Sequence, residues 1–234
     1  MNSVLARVLG RKGRDLPGTL RRKVGQRIAI DPRTQIQEVD YVAFDTELTG
    51  LELNRDTLIS IGAVKLRGGR IFPGQTFYRL VRPESELKPE SVVVHQLTHS
   101  DLDDAERASD VLIDFVEFIG DAVLLGHFVH IDMGFVSRAV KKIFGVGWRR
   151  AAADTATLHD WLTDNDPGFA AHHGGISVKK DLFSTATRYG ITVDRPHDAL
   201  FDAFVAAQLF QRLVCFLPSN GVTTVKELLE VARP

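Results

Sequence analysis

The stretch Tyr41-Val42-Ala43-Phe44-Asp45-Thr46-Glu47 decides the fold. Four consecutive apolar residues that end in a carboxylate are typical of a central strand, because a strand covered on both faces needs apolar side chains on both. Residues 58–66 and 71–81 have the composition of two further strands, and the turn Arg67-Gly68-Gly69-Arg70 joins them as a hairpin. The sheet is therefore expected to begin as an antiparallel or mixed sheet.

After this hairpin, apolar residues recur mainly at helical spacing. Helices are predicted from near Ser109, over residues 133–143, 155–162, 178–189 and 198–216, and from Thr224, where Glu227 completes a capping box. Short strands are predicted at residues 123–125 and 151–154, and a loop at residues 164–175. The fold class is therefore α/β, with a mixed sheet flanked by helices.

The composition excludes several classes of protein. The chain has 234 residues, of which 44% are hydrophobic and 25% charged, as expected for a globular domain and not for a disordered chain or a disulfide scaffold. No uninterrupted apolar run exceeds five residues, whereas a membrane-spanning helix needs about 20. Cys215 has no second cysteine to pair with. We therefore expect no membrane association and a reducing compartment, the cytoplasm.

The charge is divided unevenly along the chain. The formal net charge is −1, but residues 1–34 carry +7 and the remaining 200 residues carry −8. We accordingly divide the chain into a basic N-terminal extension (residues 1–36), a central domain (37–217) and a C-terminal helical tail (218–234). The extension is interpreted as a partly ordered arm or linker, with a nucleic-acid-contacting arm and a transit peptide as alternatives.

Acidic residues mark the ends of predicted strands and the starts of predicted helices. Asp45 and Glu47 are two residues apart, so in a strand their side chains project from the same face. Asp132 falls near the start of a helix, where capping is the simpler interpretation. Asp198 is expected to cap the last long helix, which leaves Asp202, flanked by apolar residues, free for another role. Paired carboxylates repel one another unless a cation lies between them, and divalent ions prefer oxygen ligands.

Together these residues form an ordered set that resembles the DnaQ-like, or DEDDh, 3′–5′ exonucleases, which include the epsilon proofreading subunit of bacterial DNA polymerase III. The stretch 44–51, FDTELTGL, is similar to the family's first motif FDTETTGL. Asp132 stands in the second motif, and His197 with Asp202 in the third. Weaker similarities lie at residues 59–64, 94–98, 154–155 and 188–191. The resemblance covers roughly residues 40–215 and implies a ribonuclease H-like mixed sheet.

The resemblance also implies a mechanism with two divalent ions, Mg²⁺ or Mn²⁺. It assigns Asp45 to both ions, Glu47 and Asp202 to the ion that carries the attacking water, and Asp132 to the second ion. His197 is the implied general base. Substrate contacts are implied for Thr46, Thr49, Leu51 and His95, although core packing is an equally good interpretation of Leu51. His127 and His130 are not expected to bind zinc, and His99, His172 and His173 are interpreted as surface loop residues.

The expected activity is removal of nucleoside 5′-monophosphates from the 3′ ends of single-stranded DNA, with a DNA polymerase as a partner in trans. An RNA-directed member of the same family is the first alternative, since a 2′-hydroxyl pocket is not visible in sequence. A non-catalytic module that docks on a polymerase is the second. One departure bears on the substrate: the family's HNAxFD reads HFVHID at residues 127–132, with Phe128 in place of Asn and Ile131 in place of Phe.

Overall fold

A five-stranded mixed sheet organises the chain, and its central strand is the stretch quoted above. The computed structural model describes Gly18, Val24, residues 30–173 and residues 180–234. Within them the strand order is β3-β2-β1-β4-β5. β1 pairs antiparallel with β2 and parallel with β4, as the prediction of a mixed sheet required. The strands are β1 (Asp40–Leu48), β2 (Leu58–Arg67), β3 (Arg70–Leu80), β4 (Val123–Gly126) and β5 (Ala152–Asp154).

Helices cover both faces of this sheet. The described residues contain α1 (Pro89–His95), α2 (His99–Leu102), α3 (Ala108–Ile119), α4 (His130–Phe144), α5 (Thr155–Asn165), α6 (Pro167–His173), α7 (Leu182–Arg188), α8 (Ala199–Leu213) and α9 (Val225–Val231). Helix α8 packs on one face of the sheet, with its apolar residues in the same core as Tyr41 and Ala43. Helices α3 and α4 pack on the other face, in the core that contains Val42 and Phe44.

This two-sided burial explains why β1 is apolar without alternation. The Tyr41 ring lies 5.0 Å from the Phe210 ring of α8, while the Phe44 ring lies 5.5 Å from the Phe115 ring of α3. Successive residues of β1 therefore enter different cores, and both cores require apolar side chains.

Most predicted elements are confirmed, including two helix starts. The Asp198 side chain accepts a hydrogen bond from the Phe201 backbone N–H and caps α8, as predicted. Thr224 and Glu227 form the predicted reciprocal capping box at the start of α9. Helix α8 ends at Leu213 rather than continuing to residue 216, because a 3₁₀ turn follows it.

Three predictions for other segments are wrong or incomplete. The expected loop at residues 164–175 contains α6, which begins where Asp166 accepts a hydrogen bond from the Phe169 backbone N–H and Pro167 supplies a helical φ. The helix predicted from residue 178 begins at Leu182, because Asp181 caps it there; residues 178 and 179 lie outside the described residues. Helices α1 and α2 were not predicted, although Pro89 at the first position of α1 is a start signal.

The two ends of the described chain pack against each other. The Ile36 N–H donates to the Thr223 carbonyl at 2.9 Å, and the Val225 N–H donates to the Thr34 carbonyl at 2.9 Å. Ile36 and Val225 both belong to the core on the α8 face of the sheet. The predicted domain boundaries at 36/37 and 217/218 therefore fall inside packed structure, while most of the basic extension lies outside the described residues.

One helical stretch of the described residues, 199–216, has the length and apolar composition that a membrane crossing needs. The core helix of a globular protein meets the same criterion, and 56% of this stretch is buried inside the protein. We interpret it as the central core helix.

Candidate active site

Three carboxylates meet at the end of the central strand. Single oxygen atoms of Asp45, Glu47 and Asp202 all lie within 4.8 Å of one another. The side chains of Asp45 and Glu47 project from β1 on the face covered by α8, and Asp202 lies in the first turn of that helix. Within the described residues this is the only group of three or more acidic, histidine or cysteine side chains with such spacing. The structure thus brings together three of the four carboxylates predicted from the sequence.

A glycine allows α8 to approach closely enough. Gly62 of β2 stands directly opposite Asp45 in the sheet register. A Cβ atom at Gly62 would lie 2.1 Å from the Leu200 backbone nitrogen and 2.2 Å from the Ala199 carbonyl carbon. Any side chain here would push the start of α8, and with it Asp202, away from Asp45. This role of Gly62 was not predicted, because a glycine in a strand pattern does not reveal which backbone approaches it.

The fourth predicted carboxylate reaches the strand end from the opposite face of the sheet. Asp132 is the third residue of α4, and its Oδ1 atom accepts hydrogen bonds from the Thr46 backbone N–H (2.9 Å) and the Thr46 hydroxyl (2.6 Å). Thr46 lies between Asp45 and Glu47 in β1, so this pair of hydrogen bonds fixes Asp132 beside them. Asp132 is not part of the three-carboxylate group.

Burial and mutual repulsion shift the pKa values of these acids upward. Burial raises the pKa of Asp45 well above its ordinary value, and the charges of Asp132, Glu47 and Asp202 raise it further. Burial, followed by the charges of Asp202 and Asp132, raises the pKa of Glu47 to about 9. Burial raises the pKa of Asp202 to about 7, and that of Asp132 to about 7 against the opposing effect of the Thr46 hydrogen bonds. Among the described residues, no lysine or arginine forms an ion pair with any of the four.

These features fit a divalent cation. The Asp202 Oδ1 atom is buried and has no hydrogen-bond partner, which is costly unless another group occupies its lone pairs. Carboxylate oxygens are the ligands that Mg²⁺ and Mn²⁺ prefer, and a bound cation reverses the repulsion that raises the pKa values. The donor set therefore matches the predicted cofactor chemistry.

His197 lies at the start of α8, next to this group. Its backbone N–H donates to Asp202 Oδ2 at 3.0 Å, and its φ of 65° places it in the left-handed region that few non-glycine residues adopt. The imidazole meets the Phe183 ring edge to face, with centroids 5.1 Å apart. Burial lowers the pKa of His197, so the ring is neutral at pH 7 and able to accept a proton.

His95 ends α1 with one ring nitrogen uncommitted. Its Nδ1 atom accepts a hydrogen bond from the Leu97 backbone N–H at 3.0 Å, so the proton of the neutral ring is on Nε2. Nε2 is buried and has no hydrogen-bond partner. Burial lowers the pKa of His95, and the charge of His197 lowers it further. His95 is therefore able to donate a hydrogen bond through Nε2, and its contact to substrate stays a prediction.

The other predicted substrate contacts differ in accessibility. Leu51 is 76% exposed, so the core-packing interpretation of this residue is wrong. The Thr46 hydroxyl is committed to Asp132. Thr49 is fully buried, and its hydroxyl hydrogen-bonds Ser85 and the Thr57 backbone N–H, so its side chain offers nothing to a ligand in this structure. Its role here is to hold the loop between β1 and β2.

The histidines outside the candidate site have other environments. Both ring nitrogens of His127 are engaged, with Thr155 Oγ1 at 2.8 Å and the Lys180 carbonyl at 2.7 Å. His172 and His173 lie on α6 instead of a loop, and the His173 ring stacks on Tyr189 with centroids 4.6 Å apart. His99 is exposed at the start of α2, again on a helix and not in a loop.

Buried carboxylates at the end of a mixed sheet, beside a histidine, define a candidate nuclease centre. Residues 42–210 match the family model described as exonuclease, and the chain belongs to that family. This span contains all five predicted catalytic residues.

The curated relatives are polymerases much longer than this chain. The chain is 30% identical over 192 residues to the DNA polymerase III PolC-type of Thermotoga maritima, and 32% identical over 196 residues to that of Bacillus subtilis. These alignments cover 82% and 83% of this chain but 13% of each relative.

Solved structures with the same fold are also exonucleases. Exonuclease X in complex with 5′ overhanging duplex DNA superposes with a TM-score of 0.58 at 19% identity, covering 82% of this chain and 99% of the other. Exonuclease I of E. coli in complex with a dT13 oligonucleotide gives 0.67 at 14% identity, covering 78% and 42%. The predicted ribonuclease H-like fold class is thereby confirmed.

Proposed function

We propose that the protein is a metal-dependent 3′–5′ exonuclease that releases nucleoside 5′-monophosphates from single-stranded DNA. The observation that carries the proposal is the group of three carboxylates within 4.8 Å, of which Glu47 and Asp202 are buried and Asp45 is partly buried, with the His197 backbone N–H hydrogen-bonded to Asp202. Membership of the exonuclease family supports the reaction class.

The carboxylates would hold two divalent ions, Mg²⁺ or Mn²⁺. Asp45 would contribute to both ions, Glu47 and Asp202 to one, and Asp132 to the other, with Thr46 fixing the orientation of Asp132. When bound, the ions supply charge stabilisation for the attacking and leaving oxygens of the phosphodiester. The buried, partnerless Oδ1 of Asp202 gives that ligand role a specific atom.

His197 acts as the general base. Its lowered pKa keeps the imidazole neutral at pH 7, so it accepts the proton of the attacking water. The water oxygen forms a bond to phosphorus, and the bond from phosphorus to the 3′ oxygen of the preceding nucleotide breaks. The last nucleotide leaves with a 5′-phosphate, and the released 3′ oxygen takes a proton from water, so that the shortened strand ends in a 3′-hydroxyl. The Nε2 proton of His95 is available for a hydrogen bond to the substrate.

The proteins that this chain resembles favour DNA as its substrate. The relatives named above are DNA polymerases, and the two structural neighbours were solved with DNA or a thymidine oligonucleotide. The same relatives favour a polymerase as a partner and the cytoplasm as location, in line with an exposed, unpaired Cys215.

The test uses strands labelled at the 5′ end, of DNA and of RNA with the same sequence, incubated with the full chain and Mg²⁺, Mn²⁺ or EDTA. A ladder that shortens from the 3′ end of DNA, only with metal, is the expected result. Faster digestion of RNA would establish the RNA-directed alternative. Binding without digestion of either strand would establish the non-catalytic alternative. Asp45→Asn, which leaves the fold's apolar core intact, is the control for contaminating nuclease.

A further inference from the structure

The segment between β4 and α4 holds an aromatic residue in a strained conformation. Phe128 has φ of 53°, in the left-handed region that bulky side chains avoid. Of the other described non-glycine residues with positive φ, Gln96 closes α1 as its C-cap and His197 belongs to the catalytic group. Phe128 ends no helix, so its conformation has no such explanation. Strain of this kind is retained where the surroundings impose it, and it concentrates at functional sites.

The neighbouring residues fix the positive φ of Phe128. The next residue, Val129, is fully buried, and its N–H donates to Asp154 Oδ2 at 2.7 Å. The Phe128 carbonyl accepts the Ile131 N–H at 3.0 Å, which starts the helix that carries Asp132. On the other side, a Cβ at Gly126 would lie 3.1 Å from the Phe44 carbonyl oxygen, so the chain is pressed against β1. The Phe128 backbone is thus fixed at the start of α4, four residues before Asp132 and two residues after the point where the chain touches β1.

The Phe128 ring is half-buried, and among the described residues no ring lies parallel to it. His127 and His130 meet it at 65° and 78°, with centroids 4.8 and 6.3 Å away. Other apolar side chains near this helix start are also exposed: Ile131 is 37% exposed, and Leu53, 43% exposed, packs over Gly134 of α4. The first turns of α4, which carry Asp132, therefore present partly exposed apolar side chains.

A single strand whose 3′ end reaches the carboxylates presents unpaired bases to the side chains around them. Flat π faces of nucleobases stack on aromatic side chains, and this contact is how many proteins hold single strands without reading sequence. An amide at position 128, as in the related motif, would offer hydrogen bonds; the phenyl ring offers a stacking face.

We propose that Phe128 is a stacking platform for one base near the 3′ end of the bound strand. The inference rests on the proposed function, since it places the strand end at the carboxylates. It makes Phe128 a residue that sets affinity for single strands independently of base identity. The competing structural role is a hydrophobic contact that merely steadies the start of α4.

The test measures binding of a fluorescent 12-nucleotide DNA strand to the full chain by anisotropy in Ca²⁺, for the wild type, Phe128→Tyr, Phe128→Leu and Phe128→Asn. Single abasic positions are placed in turn at each of the four 3′-terminal nucleotides. Because stacking on an aromatic side chain contributes about 1–3 kcal/mol per base, one abasic position should weaken binding by the wild type roughly 5- to 150-fold. Tyr should preserve this dependence.

The Phe128→Leu variant keeps apolar bulk but lacks a ring. It should bind the intact strand about as weakly as the wild type binds the abasic strand, and the abasic position should weaken its binding no further. Asparagine adopts a positive φ readily, so the Phe128→Asn variant should have a higher Tm than the wild type. Its binding should nevertheless not depend on the abasic position, so this variant tests the inference even if Phe128→Leu is unstable. An abasic profile that is the same in the wild type and in Asn or Leu would overturn the inference.

Hydrolysis of the intact strand in Mg²⁺ is measured in parallel. A wild type that binds with the expected abasic profile but does not cleave would overturn the proposed function and leave the stacking role standing. A wild type that binds no strand would overturn both.

Discussion

Removing one charge from the carboxylate group should stabilise the metal-free protein. Asp202 is 4% exposed, and burial first, then the charges of Asp198 and Asp132, raises its pKa from 3.8 to about 7. Because the pKa of Asp202 is higher in the folded than in the unfolded state, its contribution to the free energy of unfolding is fully present below the unfolded pKa, near 4. That contribution is lost as the pH rises to about 7. The asparagine of Asp202→Asn does not titrate, and its amide oxygen still accepts the His197 N–H.

The size of the effect follows from this shift. About three pKa units at 1.36 kcal/mol each set an upper value of about 4 kcal/mol above pH 7. We expect Asp202→Asn to raise the free energy of unfolding by about 2–4 kcal/mol at pH 8 in EDTA, and the Tm by roughly 5–15 °C for a chain of this size. Near pH 4 the two proteins should unfold alike.

Urea unfolding followed by fluorescence of Trp148 and Trp161, at pH 4.5 and pH 8 in EDTA, measures this difference. Asp104→Asn is the matched control, because it removes an exposed carboxylate and should leave the pH dependence unchanged. Adding Mg²⁺ or Mn²⁺ at pH 8 should stabilise the wild type and affect Asp202→Asn less. If Asp202→Asn proves no more stable than the wild type at pH 8 without metal, the electrostatic reasoning fails.

Three further predictions concern the residues around this group. His197→Ala should lower hydrolysis at least 100-fold while Mn²⁺ still raises its Tm, because the base is lost and the carboxylates remain; turnover near that of the wild type would contradict it. Gly62→Ala should destabilise the chain by about 3 kcal/mol or more through its clash with the start of α8, seen as a lower urea midpoint, whereas Gly74→Ala, whose Cβ meets nothing within 4 Å, should not. Lys88→Met should lower the Tm and raise the KM for single strands. Lys88 Nζ forms an ion pair with the buried Asp56 at 2.9 Å and so links α1 to the loop after β1. An unchanged Tm would refute that link.

The long helices were predictable because their apolar residues recur with the helical period, and the central strand because it is a short continuous apolar run. The two cores on either side of β1 dictate its apolar run, and capping by Asp198 and by the Thr224–Glu227 pair is a local hydrogen-bond pattern. Helix α6 was missed because its start signal, Asp166 before Pro167, stands in a polar stretch typical of a loop.

The site was predictable as residue types but not as geometry. Asp45 and Glu47 share a face by strand periodicity alone, whereas their distance to Asp202 depends on Gly62, 140 positions earlier in the chain. Thr49 illustrates the limit: motif position implied a substrate contact, but tertiary hydrogen bonds to Ser85 and Thr57 bury its hydroxyl. No local pattern encodes those long-range contacts.

The most direct test of the account is a metal titration of strand hydrolysis. The full chain is stripped of metal with EDTA, a 5′-labelled DNA strand is added, and Mn²⁺ is titrated while the released product is identified by mass. We expect no cleavage in EDTA, cleavage from the 3′ end to nucleoside 5′-monophosphates on addition of Mn²⁺, and none with Asp45→Asn. Cleavage that persists in EDTA, or that Asp45→Asn performs as well as the wild type, would contradict the central role of the carboxylate group.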